Sequence, residues 1–197
     1  MPQISPAEYR ALPLRANTFL AGVPLHDVWA VDLPRPRENV SLAGFQARGG
    51  LSIDRLPRPA RALLDLRLFL GRVFSLETAP RGADAASFAS RLTDEDRARS
   101  SVIPGTAEGL FRVVYRFENE QLLELQNRTA HAAAVSALVE TTAGYRYYFA
   151  VYVANSGWFT RVYMALIDPF RRWIIYPALL NGVRTTWMRS AAADTSN

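Results

Sequence analysis

The chain has 197 residues, 23 Lys plus Arg against 18 Asp plus Glu, a formal net charge of +5 and no cysteine. A content of 49% hydrophobic and 21% charged residues excludes a disordered chain, and the lack of cysteine excludes a disulfide framework, a thiolate nucleophile and a cysteine-based metal site. All 23 basic residues are arginines, spread along the chain and not gathered into a block, so no nucleic-acid partner is expected.

Met1–Pro6 has no basic stretch leading into an apolar core, so no secretory signal is expected and a cytoplasmic location is. One domain over 1–197 is expected, with 1–26, rich in Pro and small residues, as an extended lead-in and 190–197 as a flexible tail. Val28–Leu33 reads as a short strand closed by Pro34 and Pro36. Ser41–Arg48 reads as a short helix with Ser41 as its N-cap. Arg58–Val73 reads as a longer helix, with Pro59 in its first turn and Leu63, Leu66, Leu70 and Phe74 on one stripe. Residues 79–109 are poor in large apolar groups and read as a surface insertion or lid, with a short helix over Asp84–Arg99.

Strands follow. Phe111–Glu118 and Leu122–Gln126 read as a hairpin around Asn119–Glu120, with Arg128–Glu140 and Tyr145–Ala154 after them. No Gly or Pro separates Gln126 from Ala132, so the second and third segments are compatible with one long bent strand. Odd positions carry Phe111, Val113, Tyr115, Phe117, Val135, Tyr147, Phe149 and Val151, and even ones carry Arg112, Arg116, Glu124, Arg128 and Arg146. Side chains alternate across a strand, so a shared parity predicts one apolar face and one charged face. Asn127, Thr129 and His131 interrupt the apolar parity and suggest a pocket lining. Trp158–Arg189 reads as a long final helix bent at Pro169 or Pro177, with Phe170, Trp173 and Ile174 packed on the sheet. Its most apolar run, Trp173–Val183, is too short to span a membrane, so no integral membrane segment is expected.

These elements predict an α+β fold, a curved antiparallel sheet wrapped around a long C-terminal helix. Asn127-Arg128-Thr129-Ala130-His131, the run Tyr163–Arg172 with its Asp168-Pro169-Phe170-Arg171-Arg172 core, and Ile175-Tyr176-Pro177-Ala178-Leu179 resemble a bacterial domain-of-unknown-function family, number 2867. The resemblance covers roughly residues 110–189, and Pro-Phe-Arg followed by Tyr-Pro-Ala-Leu is its most specific part. It implies a helix-grip fold of the START and birch-pollen-allergen type (the SRPBCC superfamily), grouped with polyketide cyclases and lipid carriers. It brings no agreed activity. The Gly-rich dinucleotide fingerprint of some fused relatives is missing, since Gly44, Gly49 and Gly50 do not make G-x-G-x-x-G.

The expected ligand is a hydrophobic small molecule held between sheet and final helix. His131 is the candidate proton-transfer group, because imidazole titrates near neutrality. Tyr115, Asn127, Thr129, Tyr147, Phe149 and Phe170 are the candidate ligand-binding residues. No cofactor and no metal is expected; His26-Asp27 has no further ligand near it in sequence, and Asp168 with Arg171 and Arg172 reads as a solvated helix cluster. Three classes follow: a cofactor-free acid–base enzyme (cyclase, dehydratase or isomerase), a non-catalytic carrier or sensor, and an interaction module or homodimer built on an exposed apolar patch. A carboxylate facing His131 would separate the first from the second, and Glu118, Glu124 and Glu140 all fall on the outward parity.

Overall fold

The structure, a computed structural model, describes residues 3–34, 40–47, 87–126, 131–154, 168–169 and 171–194. The expected helix Arg58–Val73 lies outside them, as do Asn127, Thr129 and Phe170.

The chain is α+β. Strands β1 (Leu25–Pro34), β2 (Ala107–Glu108), β3 (Phe111–Arg116), β4 (Glu120–Gln126), β5 (His131–Thr141) and β6 (Gly144–Ala154) form one antiparallel sheet in the order β1-β6-β5-β4-β3-β2. Among the described residues the helices are α1 (Pro6–Arg10), α2 (Arg15–Phe19), α3 (Leu42–Ala47), α4 (Asp94–Arg99) and α5 (Tyr176–Asp194). A 3-10 turn, Phe88–Arg91, precedes α4, and a π turn, Arg171–Ile175, leads into α5. Ser41 caps α3 as expected, its Oγ accepting from Gly44 N–H at 3.0 Å. β4 and β5 are not one bent strand: they pair antiparallel from Glu120↔Ala137 to Gln126↔His131.

The shared parity does not hold, and loop length is the reason. Thr141 pairs with Gly144 across a two-residue loop, so odd positions of β5 face even positions of β6, as in Val135↔Ala150. Gln126↔His131 and Arg116↔Gln121 invert the parity in the same way. A further register shift sits between Val113 and Tyr115. Both faces of the sheet are therefore apolar. One carries Val28, Ala30, Tyr115, Leu122, Ala133, Val135, Tyr148, Ala150 and Tyr152, and packs with Tyr9, Leu14, Ala16, Phe19, Phe88 and Leu92. The other carries Trp29, Val31, Leu33, Leu138, Tyr145 and Tyr147, and packs with Phe45, Tyr176, Leu180, Val183 and Trp187.

Several expectations change with this. The lead-in is not extended, since α1 and α2 cover a sheet face. Phe88 and Leu92 are buried in that same layer, so the otherwise largely exposed segment 87–99 is anchored to the core through them. Helix α5 runs to Asp194, well into the expected tail. Arg116 lies on the α5 face beside Gln121, half-buried, with its Nε donating to Gln121 Oε1 at 3.1 Å. Arg146 lies on the α1–α2 face, where it meets Glu8 at 3.3 Å and Asp32 at 3.2 Å.

In the final helix Trp173 points away from the sheet at 79% exposure. Tyr176, Leu180, Val183 and Trp187, spaced at helical intervals, make the packed stripe instead. Pro177 has no N–H for the ordinary ladder, and the π turn ends beside it. The 3-to-4 edge of the chain also matters. Ile4 N–H donates to Val28 C=O at 3.1 Å and Gln3 bridges Trp29, which covers the middle of the outer edge of β1.

Trp187 is 1% exposed and its Nε1 donates to Pro34 C=O at 3.1 Å. Trp187→Ala is expected to lower stability by about 3–5 kcal/mol in a denaturant titration. Trp173→Ala is expected to change it by less than about 1 kcal/mol.

Candidate functional site

Two polar clusters stand at the same end of the sheet, on opposite faces. The first is built on β4, β5 and the segment before the 3-10 turn. Glu124 is buried and is not on an outward face. Its Oε1 meets His131 Nε2 at 2.6 Å and accepts from Phe88 N–H at 2.8 Å, and its Oε2 accepts from Ser87 Oγ. The Phe88 ring stacks on the His131 ring at 4.2 Å, and Arg91 lies over Phe88 at 5.2 Å. Burial works against the Glu124 charge, but the bonds from His131, Ser87 and Phe88 outweigh it and hold the carboxyl below its ordinary range. A carboxylate does face His131. The arrangement orients the imidazole and leaves it half-buried.

The second cluster joins β1 to the π turn. The register of β1 shifts between Leu25 and Asp27, which places His26 in a bulge. His26 Nε2 lies 2.8 Å from Asp168 Oδ1 and 4.0 Å from Asp27 Oδ2. Arg171 reaches Asp168 Oδ1 at 3.2 Å and Asp27 Oδ2 at 3.4 Å, and donates to the Tyr176 hydroxyl. Arg172 meets Asp168 Oδ2 at 3.6 Å. Asp168, Arg171 and Arg172 are thus a partly buried network and not a solvated helix cluster. The Asp27 side chain has no exposure, and its Oδ1 has no hydrogen-bond partner. Two residues on, and on the same face, Trp29 Nε1 is buried without a partner. Trp29 and Phe149 flank the Tyr176 ring at 5.5 and 5.6 Å. Burial pushes the Asp27 carboxyl above its ordinary range, and Arg171 and His26 offset this only in part.

Asp168 supplies the third ligand that the sequence did not place beside His26 and Asp27, and ligand atoms of the three lie within 4.8 Å of one another. Arg171 and Arg172 already neutralise the two carboxylates, so a cation there would meet two guanidiniums. This chemistry does not suit a metal.

The expected pocket residues divide between the faces. Tyr115 is buried on the α1–α2 face, donating to Glu120 Oε1 at 2.9 Å, and His131 shares that face. Tyr147 is buried on the α5 face, donating to Ser136 Oγ at 2.9 Å, and Phe149 lies half-buried beside Tyr176 there. One ligand between sheet and α5 cannot touch both sets. A strand that begins at Val28 leaves Asp27 out and so separates it from Trp29, whereas β1 begins at Leu25 and includes both. Their signal was legible: Asp27, Trp29, Val31 and Leu33 share a parity, and an acid that continues an apolar parity is unusual.

Residues 19–178 match the profile of a family described as "Protein of unknown function (DUF2867)". The chain belongs to this family. Comparison with curated proteins and with solved structures returns no match. His26, Asp27, Asp168, Arg171 and Tyr176 all fall within the matched span. Among the described residues no helix is long and apolar enough to cross a membrane.

The two carboxyls respond to pH with opposite sign. Glu124, lowered in the fold, adds stability above the ordinary glutamate pKa, and this is lost as pH falls through its lowered value. Asp27, raised in the fold, favours folding below the ordinary aspartate pKa, and this is lost as pH rises through its raised value. Thermal midpoints from about pH 3 to 8 are expected to show a shallower acid decline in Glu124→Gln and a flatter upper limb in Asp27→Asn.

Proposed function

We propose that this protein binds a small, mostly apolar molecule between the β1–β6 face and α5, with the polar group of that molecule held by Asp27 Oδ1 and Trp29 Nε1. The observation that carries this is the pair of buried, unpartnered atoms on one face, an acceptor and a donor two residues apart. A buried polar atom without a partner is costly, and a hydroxyl or primary amide satisfies both at once by donating a hydrogen bond to the carboxylate and accepting one from the indole N–H. Phe149, Ile175, Leu179 and the Tyr176 ring supply apolar walls. Such a mixture of apolar walls and a few placed polar groups is what ligand sites use. A ligand between sheet and last helix also fits the helix-grip, START-like architecture that the family motif implies.

The chemistry that follows is cofactor-free acid–base conversion, of the isomerase, dehydratase or cyclase type. Asp27 is its proton-transfer group, because burial raises the proton affinity of its carboxyl and one of its oxygens is left open to an incoming group. A carrier would use the same contacts without turnover. A second reading places the chemistry at His131 on the opposite face, where Glu124 at 2.6 Å orients the ring.

Native mass spectrometry of the protein as purified tests the binding, with a co-purified hydroxyl- or amide-bearing molecule as the expected result. Trp29→Phe keeps the ring and removes the donor, and is expected to weaken that molecule by about 0.5–1.5 kcal/mol. Asp27→Asn is expected to retain the ligand and reduce turnover by ~10²–10⁴-fold if Asp27 moves a proton. Loss of turnover in His131→Asn alone would transfer the chemistry to the second reading. An unchanged ligand profile in both Trp29→Phe and Asp27→Asn would reject the first.

A further inference from the structure

An open cleft of about 440 Å³ lies on the α1–α2 side of the sheet, where the chain between α1 and α2 meets the β3–β4 hairpin. This is the face opposite α5, so nothing said of Asp27 and Trp29 bears on it. Leu12, Pro13, Leu14 and Phe117 give it apolar walls, and Arg10, Arg15 and Arg99 bring three guanidiniums to it. The three are not equivalent. Arg15 is fixed and neutralised: its Nε and one terminal nitrogen donate to the two carboxylate oxygens of Asp96 at 2.9 and 2.8 Å, and the other terminal nitrogen donates to Thr18 Oγ1 at 3.0 Å. Asp96 in turn belongs to the capping box of α4 with Thr93, so the pair locks α4 against α2 and sets one wall of the cleft. The Arg15 bond holds the Asp96 carboxyl down to about 2, so this lock stays closed through the neutral range.

Among the described residues neither Arg10 nor Arg99 makes an ion pair at contact distance, although Arg99 is near enough to Glu120 to act on its charge. Arg99 lies over the Phe117 ring at 4.6 Å, which fixes its plane at the wall without neutralising its charge. Arg10, the last residue of α1, also lines the cleft. The acid in the cleft, Glu120, is held at the floor by the Tyr115 hydroxyl and is buried. Burial pushes its carboxyl up, and Tyr115 with the backbone of Ala16 and Arg15 offsets this only in part. Two exposed guanidiniums therefore face an apolar-walled cleft, and among the described residues that line it the acid is the buried Glu120.

We propose that this cleft binds a small molecule carrying a carboxylate or phosphate on an apolar body, with Arg10 and Arg99 holding the anionic group from two sides. Arginine suits the role because its planar fork meets a carboxylate or phosphate through two parallel hydrogen bonds. The apolar body lies along Leu14 and Phe117.

Isothermal titration of the intact protein tests this with three probes of similar size: 3-phenylpropionate, phenyl phosphate and the neutral 3-phenylpropanamide. At least one anion is expected to bind roughly tenfold or more tighter than the amide, in keeping with a charge-assisted pair of bonds. Tighter phenyl phosphate would assign a phosphate site, and tighter 3-phenylpropionate a carboxylate site. Arg10 and Arg99 are exposed, so Arg10→Ala with Arg99→Ala is expected to keep its thermal midpoint and lose the preference for the anion. Should the double variant unfold, Arg10→Gln alone is expected to lose part of that preference. Anions that bind no tighter than the amide, or a preference that survives these substitutions, would overturn the proposal.

Discussion

Strands β5 and β6 are apolar on both faces, and that single constraint organises the molecule. A sheet with one wet face needs one covering layer; this sheet needs two. The N-terminal helices with Phe88 and Leu92 supply one, and α3 with α5 supplies the other. Neither layer is ornamental, because removing either would expose large rings such as Tyr9 and Tyr115 or Tyr147 and Trp187. The polar clusters sit where the layers end. At the end of the sheet nearest His131, Ala154 and Leu25, backbone pairing runs out and side-chain chemistry takes over the task of holding the layers on.

Both polar clusters do this with a buried carboxylate, yet their electrostatics differ. Glu124 is saturated with donors, so its charge is welcome and it acts as a clamp between β4, β5 and Ser87-Phe88. Asp27 is under-supplied, with one oxygen engaged by Arg171 and the other left without a partner. The difference is one of completeness. A completed carboxylate rigidifies what it touches, while an incomplete one retains capacity for an incoming group. Two local irregularities, the bulge at His26 and the π turn at Arg171, bring the second set together, and such breaks in regular structure are where side chains are re-aimed.

Much of the fold was legible in the sequence. The strands beginning at Phe111 and Gly144, the Ser41 cap and the helical stripe through Leu180 to Trp187 follow from alternation, capping chemistry and 3.6-residue spacing. The pairing of faces was not, because parity carries across a hairpin only when its loop has an odd number of residues. The two residues between Thr141 and Gly144 invert it, and so do four between Gln126 and His131. His131 does lie on an apolar parity, but that inversion sends Tyr147 and Phe149 to the other face. Trp173 misled for a different reason: it fits the period of an ideal α-helix, and the π turn rotates it out of phase. The convergence of Asp27 with Arg171, 144 positions apart, is a property of topology that no local pattern records.

The pairing of Gln3 and Ile4 with the middle of β1 has a consequence for association. β1 is a ten-residue edge strand, long enough to template a neighbour, whereas the opposite edge, β2, has only two residues. The N-terminal segment occupies the backbone groups of β1 at Val28 and Trp29, and Pro34 ends its ladder. Edge-to-edge addition of a second copy is thereby blocked at the middle of β1 by Gln3 and Ile4 of the same chain. Self-association through the sheet is a competition between this short intramolecular strap and an external strand, so displacing residues 3–4 would open the middle of β1 to pairing with another strand.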